Sequence, residues 1–185
     1  MQPPVVQRSA PIAFGLALLT CAAALPAALQ DAALAAPALR SAPQQLPLEA
    51  EWCLGTGSTS PGPCIALEVA DEAHEQAMGL QLRAPLPPLH GMWFPYATPS
   101  LARYWMHRTP EPLDMLFVRQ GRVIAIEAHV RPCLHLPCPS YGPDESVDGV
   151  VELAAGQAEH LGISVGSPVR IKPLPARPAA GASVR

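Results

Sequence analysis

The sequence predicts a mainly β protein: a compact antiparallel sandwich or barrel with two short helices. Three observations carry this. Short apolar runs recur between turns rich in Gly, Pro, Ser and Asp, the pattern of many short strands. Gln120-Gly121 lies between two such runs and is a tight-turn pair of the kind that joins antiparallel strands. The 185 residues include 24 Pro and only 15% charged side chains, which works against long helices.

In chain order, Leu48–Cys53 and Cys64–Val69 flank a Gly/Ser/Thr/Pro segment and read as a hairpin. A first helix follows, with Asp71 as its N-cap, Glu72 at its positive end, Ala73, Ala77 and Leu80 near one face, and Gly79 as the stop. Further strands are expected at Gly91–Phe94, Ala102–Met106, Leu113–Val118, Val123–Ala128, Gly149–Leu153 and Pro168–Ile171. The second helix runs from about Ala155 to Leu161 and ends at Gly162. The folded unit is therefore expected over 48–171, with no internal repeat.

Outside that unit, residues 1–35 have the layout of a secretory signal. Arg8 precedes an Ala/Leu-rich run from Ala10 to Leu29, and Ala33-Leu34-Ala35 offers a cleavage site. Pro11 and Pro26 interrupt the run, which argues against an uncleaved anchor helix. Leu18-Leu19-Thr20-Cys21 is an imperfect lipidation signal, because Thr20 is larger than the residue usual before a lipidated Cys. Residues 36–47 read as a linker and 172–185 as a disordered tail. Any membrane contact is expected through the N-terminal segment alone, if it is uncleaved or lipidated.

With Cys21 set aside, Cys53, Cys64, Cys133 and Cys138 remain, an even set that after export reads as disulfides. Of the three connectivities, Cys53–Cys64 with Cys133–Cys138 closes the shortest loops. A four-Cys zinc site is the alternative, but the paired C-x-x-C spacing is missing. The formal net charge of −3 and the lack of any Lys/Arg cluster argue against a nucleic-acid partner.

Several blocks occur in a recognisable order: VADEAHEQAMGLQLR (69–83), GMWF (91–94), YWMHRT followed by PLDMLFV (104–118), GRVIAIE (121–127), PCLHLPCPSYGP (132–143), VVELAAGQAEHLGI (150–163) and VGSPVRI (165–171). Together they resemble the domain-of-unknown-function family 192, a group of mostly exported prokaryotic proteins. The Cys-bearing segment 132–143 is similar to that of cyanobacterial members. The resemblance covers about Ile65 to Ile171 and implies a compact, mainly β domain with short helices; it implies no reaction. Three departures stand out. The family usually has Trp-Met-Lys-Asn-Thr, where this chain has His107 and Arg108. It often has Gly-Leu-Met-x-Arg, where Gln81 takes the Met position and Arg83 is kept. It usually has Val-Gly-Asp, where Ser167 replaces the Asp.

Candidate residues cluster at the densest motif. Asp114 opens an otherwise apolar strand, so its carboxylate must find a donor. His107, Arg108 and Thr109 are near in sequence, and Arg83 is a candidate spatial neighbour. Either this cluster holds a ligand's polar group, or Asp114 is structural and ties down the Thr109–Pro112 bend. Trp105, Met106 and Trp93 are candidates for an apolar pocket or for core packing, with Trp105 on the same face as His107, and Tyr104 and Met106 on the other.

Copper is a further option through Met78, Met92, Met106, Met115, His90 and His107, though isolated Met on strands and helices usually fills core gaps. His129 and His135 flank Cys133 and read as loop residues. No G-x-S-x-G occurs, and C-L-H-L-P-C is not a C-x-x-C redox motif. The leading expectation is an exported, non-enzymatic domain without metal or cofactor that binds a small ligand or an envelope protein. Its site is Trp105, His107, Thr109 and Asp114, with Arg83. The alternatives are an enzyme using Asp114 and His107 as an acid/base pair, and a copper protein.

Overall fold

The structure is a computed structural model in which residues 42–55 and 62–175 are described. The signal segment, the linker up to residue 41 and the tail from residue 176 lie outside the described residues. Among the described residues no helix is long and apolar enough to cross a membrane.

Seven strands, β1 (Leu48–Cys53), β2 (Cys64–Val69), β3 (His90–Leu101), β4 (Leu113–Arg119), β5 (Arg122–Val130), β6 (Ser146–Ala154) and β7 (Ile171–Pro173), form one sheet in the order β5-β4-β6-β3-β2-β1-β7. Two short helices, α1 (Ala73–Met78) and α2 (Gln157–His160), accompany them. The mainly β composition with two short helices is as the sequence predicts. The architecture is more particular than a sandwich or barrel: the single sheet is mixed and is not closed. β2 and β3 pair in parallel, because the chain between them crosses over through α1 and does not turn back as a hairpin.

Both faces of the sheet carry core, which explains the least patterned strand. Along β4, Met115 and Phe117 pack into one cluster with Met92, Phe94 and Val150, while Leu116 and Val118 pack into the other with Ile65, Leu67, Val151 and Leu153. A strand covered on both sides reads as a continuous apolar run. Gly149 sits where Trp93 crosses β6; a Cβ there would lie 2.4 Å from the Trp93 ring and from the Phe94 carbonyl. Trp93 packs on the side opposite Met106, so the two do not share a pocket.

The Gln120-Gly121 turn has positive φ at both residues (49° and 67°), the geometry of a two-residue hairpin, and joins β4 to β5 as expected. Cys53 and Cys64 are directly paired in the β1–β2 hairpin, and both local disulfides are formed. The sheet edges approach each other through one segment. Val123 donates to the Ser167 carbonyl and Val169 to the Gly121 carbonyl, while β7, just beyond, pairs with β1. Trp52, fully buried, donates its indole N–H to the Pro168 carbonyl at 3.2 Å.

Several local expectations are corrected. The cap of α1 is Glu72: Glu75 reaches back to the backbone N–H groups of both Asp71 and Glu72, which sets the start one residue later. Ala73 and Ala77 are exposed, and burial falls instead on Gly79 and Leu80 at the helix end. Ala102–Met106 is not a regular strand, since it pairs only by isolated bridges. Lys172 and Pro173, read as tail, belong to β7. The last linker residues are fastened: Gln44 donates to the Glu75 and Gly79 carbonyls, and Leu46 to Glu68.

Candidate functional site

The segment Tyr104–Thr109 is held from both sides by backbone hydrogen bonds. Tyr104 and Tyr141 exchange a pair (2.9 and 2.8 Å), Cys133 donates to the Met106 carbonyl, and Leu82 donates to the Arg108 carbonyl. Arg103 adds contacts to the Gly142 and Pro143 carbonyls and to Asp144. The Cys133–Cys138 disulfide closes the loop that abuts His107. Side chains alternate as expected. Met106 is buried and Tyr104 packs on the core, whereas Trp105 is 53% exposed with its ring centroid 5.7 Å from that of His107.

Of the remaining predicted residues, Asp114 and Arg83 do not join them. Asp114 is fully buried, and its two oxygens accept backbone hydrogen bonds from His129 (2.9 Å) and Ala158 (3.0 Å). It therefore fastens β5, where His129 has φ 51°, to the start of α2. It does not line a rim, does not tie down the Thr109–Pro112 bend, and is sealed from the role of acid/base partner to His107. Arg83 pairs with Glu68 at 2.6 Å, both side chains largely buried, and that pair also receives the Leu46 N–H. Thr109 is buried at the cleft described next.

Of the methionines, Met92, Met106 and Met115 are core residues. Among the described residues, the one grouping of His, Cys, Asp or Glu within reach of a common ion is Glu51 with Cys53 and Cys64, whose sulfurs form a disulfide.

A small cleft of about 40 Å³ lies between the end of α1 and the Tyr104–Thr109 segment. Trp105 stands at its edge, Phe94, Tyr104 and Thr109 line it, and Glu152 contributes the one ionisable carboxyl. Glu152 comes from β6, where it pairs with Met92 of β3 on one side and Met115 of β4 on the other. Only 5% of the residue is exposed. Among the described residues, no hydrogen bond or ion pair reaches its carboxylate, and burial raises its pKa to about 8.

The tyrosines complete the polar side. Tyr96 donates to the Tyr104 hydroxyl at 3.2 Å, and Tyr104 packs edge-on against Phe94. Burial, with Glu152 nearby, pushes both phenols above their ordinary value. The cleft therefore offers an aromatic mouth, hydroxyl oxygens, and a buried carboxyl that is neutral at pH 7.

Sequence reasoning missed Glu152, although the signal was the same one that selected Asp114: an acid inside an apolar strand, here Val150-Val151-Glu152-Leu153-Ala154. The departures in the motif also acquire reasons. Arg108 has φ 61°, a left-handed position that Asn tolerates better than other non-glycine residues, so Asn there answers a backbone need. Ser167 accepts the Ser164 N–H at 2.9 Å, closing a turn as an Asp would.

A family model described as DUF192, Uncharacterized ACR, matches residues 56–171. Two solved structures are similar. One is the crystal structure of a candidate transcription regulator from Sinorhizobium meliloti 1021, 29% identical over 68% of this chain and 92% of that one, with a TM-score of 0.58. The other is a protein of unknown function from Novosphingobium aromaticivorans DSM 12444, 32% identical over 65% of this chain and 83% of that one, with a TM-score of 0.57. A search of curated proteins gives no match.

Proposed function

The chain belongs to the DUF192 family of uncharacterised proteins, and from that premise we propose that it is an exported small-ligand-binding domain whose site is the cleft between Trp105 and Glu152. One observation carries this reading. Glu152 is buried at the cleft with no partner among the described residues, while other buried acids of the sheet are tied down: Asp114 by two backbone N–H groups and Glu68 by Arg83. Among the described residues no side-chain oxygen or nitrogen sealed from solvent lacks a partner, so the Glu152 oxygens open onto the cleft, where a ligand can reach a carboxyl that burial of the residue keeps protonated. The exposed Trp105 ring gives the apolar contact that a small concave site requires.

Export is supported by the signal layout of residues 1–35 and by the two disulfides, which persist in oxidising compartments. The net charge of −3 favours a small molecule or an envelope protein over nucleic acid. His107 flanks Trp105; with Asp114 sealed in the core, no acid/base pair forms between them, which favours binding over catalysis.

Native mass spectrometry of the protein purified from its own cells tests the proposal. An added mass retained by the wild type and lost in both Trp105→Ala and Glu152→Gln supports it. A bare protein, or an adduct indifferent to both substitutions, refutes it.

A further inference from the structure

Building on the ligand-pocket reading above, we propose that the cleft takes the ammonium end of a slim alkylamine, with Glu152 as its counter-ion and Trp105 over its alkyl stem. No Lys, Arg or His lines the cleft, so Glu152 faces it without a competing cation. The wall opposite is the last turn of α1, which carries no basic residue. The remaining polar lining is Gln76, Gln81, Thr109 and Tyr104; the two amides already donate to backbone carbonyls, and each of the four side chains has an oxygen that can accept a hydrogen bond.

Other ligand classes fit this lining less well. An anion would force Glu152 to stay protonated. A wholly apolar ligand would leave the carboxyl buried without a partner, at a desolvation cost. An ammonium ion supplies donors to these side-chain oxygens and the opposite charge to Glu152, and a nearby indole ring favours it further. The titratable groups facing Glu152 are Tyr104 and, behind it, Tyr96, both held protonated; His107, beside Trp105, does not line the cleft. The free carboxyl is neutral at pH 7 and ionised when paired, so binding releases its proton to solvent.

NMR titration with n-butylammonium, n-butanol and butyrate, following the Trp105 indole resonance, tests the proposal. Butylammonium is expected to shift Trp105 and to bind at least tenfold more weakly to Glu152→Gln. Its affinity for the wild type should fall about tenfold per unit as the pH drops below 8, the linkage of one proton per cation. The pH series needs no variant and so stands even if Glu152→Gln folds poorly. Nα-acetyl-lysine amide distinguishes the source: its binding assigns the site to a lysine side chain, and butylammonium binding without it assigns a free amine. Butylammonium that binds no better than butanol, or with pH-independent affinity, overturns the inference. A shift of Trp105 by butanol or butyrate alone overturns the cation while leaving the ligand pocket standing.

Discussion

Asp114 accepts the backbone N–H of Ala158 at 3.0 Å, so the acid that opens β4 is the fastening of α2. A second bond, from the His129 N–H at 2.9 Å, holds the left-handed backbone near the end of β5. Replacing the side chain strands two buried donors.

Asp114→Ala is therefore expected to destabilise the fold by roughly 3–5 kcal/mol, and Asp114→Asn by less, since one amide oxygen can keep one bond. Urea unfolding midpoints check this. A loss well below 1 kcal/mol for the alanine variant would mean that the two backbone groups find other partners.

Glu152 should show the opposite behaviour. Its folded pKa of about 8 lies above the ordinary 4.5, so between those values the folded state holds a proton that the unfolded chain has released. Stability then falls as pH rises from about 4.5 to 8 and levels off above, by up to a few kcal/mol. Glu152→Gln should remove that slope and raise the melting temperature more at pH 8 than at pH 5. Parallel melting curves for the two proteins across this range would contradict it.

The same chemical signal, a carboxylate in an apolar strand, thus marks one structural and one exposed-to-cleft acid, and the sequence around each does not tell them apart. What decides is which backbone N–H groups approach, and for Asp114 these come from residues 129 and 158, far along the chain. The strands themselves were legible from their apolar runs, and β1 and β2 match their expected bounds. The parallel β2–β3 pair was not, because a helix as short as α1 gives no sign of whether the next strand returns beside or across the sheet. The irregular Ala102–Met106 segment looked like a strand because its side chains do alternate between core and solvent.

Arg108, at φ 61°, is expected to carry backbone strain. Arg108→Asn should stabilise the protein by about 1 kcal/mol, since Asn visits this region more readily. Chemical denaturation reads the change. A neutral or destabilising outcome would show that the Arg108 side chain contributes more than its backbone costs.

The two disulfides close loops of different length, with sequence separations of 11 and 5. Chain entropy alone assigns about 3 kcal/mol to Cys53–Cys64 and about 2 kcal/mol to Cys133–Cys138. Removing the second by paired Cys→Ser substitution should also loosen the loop against which His107 and Met106 are held, read as faster exchange of the backbone amide at position 133, which donates to the Met106 carbonyl. Unchanged exchange there would separate the disulfide from the cleft.

The ionisation of Glu152 in the free protein bears most directly on the proposed site. A 13C-carboxyl NMR titration should place it at about 8. Titration at the ordinary carboxylate value would instead mean that Glu152 is solvated or already paired, and the cleft would lose the unpartnered acid on which its assignment as a binding site depends.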